Sequence, residues 1–67
     1  MKAAEFESII DAAIYRFNHG GWLFVDDLGR AYWFNASFYT ASTVMLHPMT
    51  RGRSGTISCD NRYIKAA

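Results

Sequence analysis

The segment Trp22-Leu23-Phe24-Val25-Asp26-Asp27-Leu28-Gly29-Arg30-Ala31-Tyr32-Trp33-Phe34 reads as a β-hairpin that is apolar on both faces. Asp27-Leu28-Gly29 between two apolar runs predicts a three-residue loop with glycine in the left-handed position. Placing Asp26 opposite Arg30 pairs Val25 with Ala31, Phe24 with Tyr32, Leu23 with Trp33 and Trp22 with Phe34. Side chains alternate along a strand. One face therefore carries Trp22, Phe24, Tyr32 and Phe34, and the other carries Leu23, Val25, Ala31 and Trp33. Both faces need a cover, and a chain of 67 residues has little to spare. At this size only about 60% of the unfolded surface is buried on folding.

One other segment is a clear cover. Phe6, Ile9, Ile10, Ala13, Ile14 and Phe17 recur at i, i+3, i+4, i+7, i+8 and i+11. That period predicts an amphipathic helix with these six side chains turned to the sheet. Glu5 and Glu7 near its start and Arg16 and His19 near its end suit the helix dipole. Asn18-His19-Gly20-Gly21 then stops it, because glycine accepts the left-handed C-terminal cap.

The second half is less regular. Phe38, Ala41 and Met45 have helical spacing, whereas Thr40, Thr43 and Val44 are β-branched and favour a strand. The reading preferred is a loop over 36–39 and a strand over 40–47 that ends before Pro48. A polar loop over 49–55 leads to a strand over 56–59, a turn at Asp60-Asn61, and a last segment, 62–65, that extends the pairing. The expectation is a single α+β domain over 1–67: one N-terminal amphipathic helix packed on a three- to four-stranded antiparallel β-meander.

Few chemistries fit the residue set. A single cysteine, Cys59, permits no intramolecular disulfide, and it reads as a small buried hydrophobe on a strand. His19 and His47 are far apart and lack companions at zinc-ligand spacing, so neither metal nor cofactor is expected. A Cys59/His47 nucleophile pair lacks an orienting group. Asp26 and Asp27 are adjacent in a turn, where Asp accepts backbone hydrogen bonds. No catalytic residue is assigned, and an enzyme is not expected. Acids at Glu5, Glu7 and Asp11 interrupt any signal-peptide core, and no run approaches the roughly 20 apolar residues of a membrane span. A cytoplasmic protein is the expectation, consistent with the lone thiol.

Net charge is +1, but residues 1–35 hold three bases and five acids, while 36–67 hold four bases and one acid. The mobile Arg51-Gly52-Arg53 loop and the sheet aromatics support one functional alternative, a small nucleic-acid-binding protein. Against it, the chain is expected to lack the β-α-β-β-α-β order and the aromatic signature of an RNA-recognition motif.

Protein binding is the leading expectation. If the helix covers the face richest in aromatics, Trp22, Phe24, Tyr32 and Phe34 are buried. Leu23, Val25, Ala31 and Trp33 then form a patch for another molecule. Leu23, Val25 and Trp33 are the expected partner-binding anchors, with Arg51, Arg53 and Arg62 as the polar rim. The partner is a different protein or a second copy in a homodimer. The expected action is stoichiometric, in the style of small phage or mobile-element accessory proteins that inhibit a host enzyme or defence complex. The competing reading is that the chain covers its own sheet, through Tyr63 and Ile64 or through a second helix within 37–46.

Overall fold

A computed structural model describes residues 3–35 and 37–59, and the backbone of 62–65. The domain is α+β. Its elements run β1 (Ala3–Phe6), α1 (Ile9–His19), β2 (Trp22–Asp26), β3 (Ala31–Phe34), α2 (Ala41–Leu46), β4 (Gly55–Cys59) and β5 (Arg62–Lys65). The strands form one antiparallel sheet in the order β1-β3-β2-β4-β5.

The hairpin forms in the expected register, with Val25 opposite Ala31, Phe24 opposite Tyr32, Leu23 opposite Trp33 and Trp22 opposite Phe34. Asp26 closes it. Its N–H donates to the Arg30 carbonyl at 2.9 Å, and its carboxylate accepts from the N–H groups of Leu28 and Arg30 at 3.0 and 2.9 Å. Gly29 takes the left-handed conformation at φ 83°. The Asp60-Asn61 turn lies outside the described residues.

Three local expectations are corrected. First, Phe6 does not belong to the helix. Residues 3–6 form β1, which pairs with β3 and makes the sheet five-stranded. The helix starts where Ser8 caps it, accepting from the Asp11 N–H at 3.5 Å. Second, the segment expected as a strand over 40–47 is the short helix α2. Thr40 caps it by accepting from the Thr43 N–H at 3.3 Å. Its carbonyl end is held by the buried Thr50, whose hydroxyl donates to the carbonyls of Val44 and His47. Third, α1 covers the opposite face of the hairpin from the one expected. Ala12 of α1 packs with Leu23, Ala31 and Trp33, with Ala4, Phe6, Tyr15 and Val25 around them. The aromatic face is covered instead by α2 and its flanks: Phe24, Tyr32, Phe34 and Ile57 pack with Val44, joined by Trp22, Tyr39, Met45 and Met49.

The topology accounts for this two-sided cover. β1 and β2 run parallel with β3 between them, and β3 and β4 run parallel with β2 between them. Both crossovers step the same way across the sheet, but from strands of opposite direction. Right-handed connections then require the two helices to lie on opposite faces. The element order does begin β-α-β-β-α-β, contrary to expectation. The consequence for nucleic acid is unchanged in one respect: neither face of the central strands is left as an open aromatic platform.

The α1–β2 link is two glycines. Gly20 caps the helix, its N–H donating to the Arg16 carbonyl at 2.7 Å. Gly21 sits at φ 98°, and a Cβ there would overlap the Phe34 carbonyl oxygen and lie 2.8 Å from Trp33 Nε1. Gly21→Ala should therefore lower stability by about 2–4 kcal/mol through left-handed strain and overpacking together. Urea unfolding of the variant against the parent chain checks this; equal midpoints would contradict it.

Candidate protein-binding surface

The most unusual feature of the molecule is the orientation of α1. Successive residues turn by about 100° around a helix, so Ala12, Tyr15, Arg16 and His19 share one side, Ile10, Ala13, Ile14 and Phe17 the other, and Ile9 lies at the border beside Arg16. The first side faces the sheet. Ala12 is fully buried, and Tyr15 meets the Trp33 ring edge-on at 4.9 Å between centroids. Phe6 packs on Tyr15 at 5.3 Å, and His19 stacks on Tyr15 at 4.0 Å. His19 Nδ1 donates to the Tyr15 carbonyl at 2.9 Å.

Polar bonds accompany this rotation. Arg16 Nη1 donates to Ser58 Oγ on β4 at 2.6 Å, and Trp33 Nε1 donates to the Gly20 carbonyl at 2.6 Å. The helix is tied to its flanking strands by only two residues at each end, Glu7-Ser8 and Gly20-Gly21. At the centre of the buried side Ala12 is fully covered by Leu23, Ala31 and Trp33.

The apolar stripe expected to form the core therefore points to solvent. Phe17 is 89% exposed, Ile10 71%, Ile14 55% and Ile9 46%, and Ala13 between them is exposed as well. Four of the seven large apolar side chains exposed among the described residues lie on this one helix. The largest apolar patch on a monomer is typically about 300–600 Å² and is often functional. The stripe itself contains no charged residue, and Asp11 borders it.

The residues expected to bind a partner are placed differently. Trp33 is only 4% exposed and Leu23 is equally buried, both beneath α1, and Val25 is half-buried beside them. They form one cluster, but it is internal, because α1 took the face that the expectation left open. The aromatics of the other face are no substitute, since Phe24 and Tyr32 are buried under α2. Arg51 is exposed. Arg53 is partly committed: its Nη1 lies 3.5 Å from Asp26 Oδ2 and its guanidinium 5.0 Å above the Tyr32 ring. The side chain of Arg62 lies outside the described residues.

A shallow depression of about 340 Å³ at the hairpin tip is lined by Asp26, Asp27, Leu28, Arg30, Arg53 and Ser54. Its polar groups bond to the protein itself. Asp26 also accepts from the Tyr32 hydroxyl at 3.1 Å, Asp27 pairs with the Ser54 hydroxyl, and Arg30 pairs with Glu5 on β1. The Asp27–Ser54 bond ties the hairpin to the segment before β4, and Arg30–Glu5 ties it to β1. Among the described residues no group of three or more His, Cys, Asp or Glu is placed to hold a metal ion, and no helix is long and apolar enough to cross a membrane. Neither a protein-family model, nor a curated protein, nor a solved structure matches the chain.

The α1 stripe was missed because periodicity marks an apolar face without saying what it faces. One overlooked signal lay nearby: Ser8-Ile9-Ile10-Asp11 has capping-box spacing and places the helix start after Phe6. Two measurements follow. Trp33→Ala should cost about 3–5 kcal/mol of stability, whereas Phe17→Ala should change it by no more than about 0.5 kcal/mol; comparable losses in thermal unfolding would mean that the stripe is packed. At the tip, Asp26→Ala should cost at least about 2 kcal/mol by leaving the Tyr32 hydroxyl and two backbone donors unpaired. The exposed Asp27→Ala should cost less than half as much in the same assay.

Proposed function

We propose that this protein is a non-enzymatic binding module that acts stoichiometrically on protein, with the outer face of α1 as its docking surface. The observation that supports this reading is the inversion of α1: Ile10, Ile14 and Phe17 are in water while Ala12 occupies the core position. Both faces of the central strands β2 and β3 are covered from within the chain without the stripe. Ridges at i, i+4 and i+7 on one helix are the pattern by which an amphipathic helix fits an apolar protein groove or a second helix. A partner of that chemistry has an apolar centre and carries no acid against Asp11. Phe17, at the C-terminal end of the stripe and 89% exposed, is a large aromatic of the kind that anchors such contacts.

Nucleic acid is the weaker alternative. The sheet aromatics on which it relied are covered, and Arg53 is engaged with Asp26 and Tyr32.

Native mass measurement on the tagged chain, purified from cells that make it, tests the proposal. The chain should be recovered in a complex of whole-number stoichiometry with protein, and the double variant Ile10→Glu/Phe17→Glu should lose that complex while keeping its circular-dichroism spectrum. Recovery of the unmodified chain as a bare 7.6 kDa species at all concentrations would overturn it.

A further inference from the structure

We infer that α2 and its flanks, residues 39–53, form a lid that opens from the aromatic face of the sheet while α1 and the hairpin stay folded. The bonding pattern carries the inference. Among the described residues, every hydrogen bond made by residues 39–52 ends within 40–53. The Val44 N–H donates to the Thr40 carbonyl at 2.9 Å and the Met49 N–H to His47 Nδ1 at 3.2 Å. The N–H groups of Thr50 and Arg51 donate to the His47 carbonyl at 2.9 and 2.8 Å. What joins this unit to the sheet is apolar. Val44, Ala41 and Met45 lie on the layer of Phe24, Tyr32, Phe34 and Ile57, and the rings of Tyr39 and His47 each meet Phe34 edge-on at 5.1 Å.

α1 is attached in the opposite way. Lifting it would part Arg16 from Ser58 and leave the Trp33 Nε1 donor without the Gly20 carbonyl, and a buried polar group left unpaired is costly. Lifting α2 leaves the Tyr32 hydroxyl bonded to Asp26 within the hairpin. The polar link at the border, Arg53 to Asp26 at 3.5 Å, and the Ser54 carbonyl, which accepts from the Asp27 N–H at 3.0 Å, mark where the lid joins the body. Gly52, at φ 75°, precedes that joint.

The connections have the length for such a movement: six residues precede α2 and eight follow it, against two at each end of α1. A helix of six residues is too short to persist without its cover, and Val44 is its one fully buried residue. Elements held by few buried apolar contacts open below the free energy of global unfolding. Opening uncovers Phe24, Tyr32 and Phe34, a second apolar surface that the closed molecule hides. This lid is independent of the α1 docking face.

Thiol labelling and amide exchange test the lid. In a Cys59→Ser background, Val44→Cys and Ala12→Cys each place one thiol at a fully buried position, the first under the lid and the second under α1. Val44→Cys should react with a thiol reagent at least about 100-fold faster than Ala12→Cys in native buffer, at a rate nearly constant in low urea. Thr50→Val removes the hydroxyl that holds the carbonyl end of α2. It should speed labelling at position 44 about tenfold and leave labelling at position 12 unchanged. Amide exchange needs no substitution. In the unmodified chain, the amides of Val44, Thr50 and Arg51 should exchange through an opening of small urea dependence, and those of the central strands β2 and β3 through global unfolding. Equal labelling at the two positions with the same urea dependence overturns the inference. Exchange of the Val44, Thr50 and Arg51 amides through global unfolding alone overturns it as well.

Discussion

The junction of Trp33 with α1 sets the rest of the surface. The indole lies under Ala12 and Tyr15, and its N–H is satisfied by the Gly20 carbonyl at the helix end. That bond fixes where the last turn of α1 sits. The Arg16–Ser58 bond holds the same side of the helix to β4. Two-residue ties at both ends join the helix directly to β1 and β2. An apolar stripe in water is the cost of that clamp, and it gives the molecule its most distinctive surface.

A chain this short reaches adequate burial by using its sheet as a middle layer. The hairpin contributes apolar residues to two separate clusters, one under each helix. Neither a disulfide nor a metal cluster among the described residues reinforces it. In their place are closely fitted polar bonds within the apolar layers: Asp26 with Tyr32 and its own turn, and Thr50 with the end of α2. No buried side-chain nitrogen or oxygen among the described residues lacks a partner, so the loss of water is compensated by bonds within the protein. A fold satisfied in this way does not require the α1 stripe for stability, which is why the stripe is read as a contact surface.

Legibility in the sequence followed the range of the interactions. The hairpin register, the Gly29 turn and the glycine stop of α1 were all readable, because each depends on neighbouring residues and on backbone geometry. The start of α1 was readable from Ser8 and Asp11 but was masked by Phe6, which happens to continue the period. α2 was misread because Thr40 and Thr43 favour strands by propensity, yet here they form the helix N-terminus by hydrogen bonding. Short helices are decided by caps and tertiary cover more than by propensity.

By itself the sequence determined that a two-faced hairpin exists, that it pairs in one register, and that an amphipathic helix precedes it. Local sterics, alternation and turn chemistry suffice for those. Only the tertiary structure decided which face each helix covers and which side of α1 looks outward. Those outcomes depend on crossover geometry, on the room beneath Ala12, and on bonds such as Trp33 to Gly20 and Arg16 to Ser58 that join distant parts of the chain. The side chains that periodicity marks as core became surface because Ala12, Tyr15 and Arg16, and not the isoleucines, meet Trp33 and Ser58.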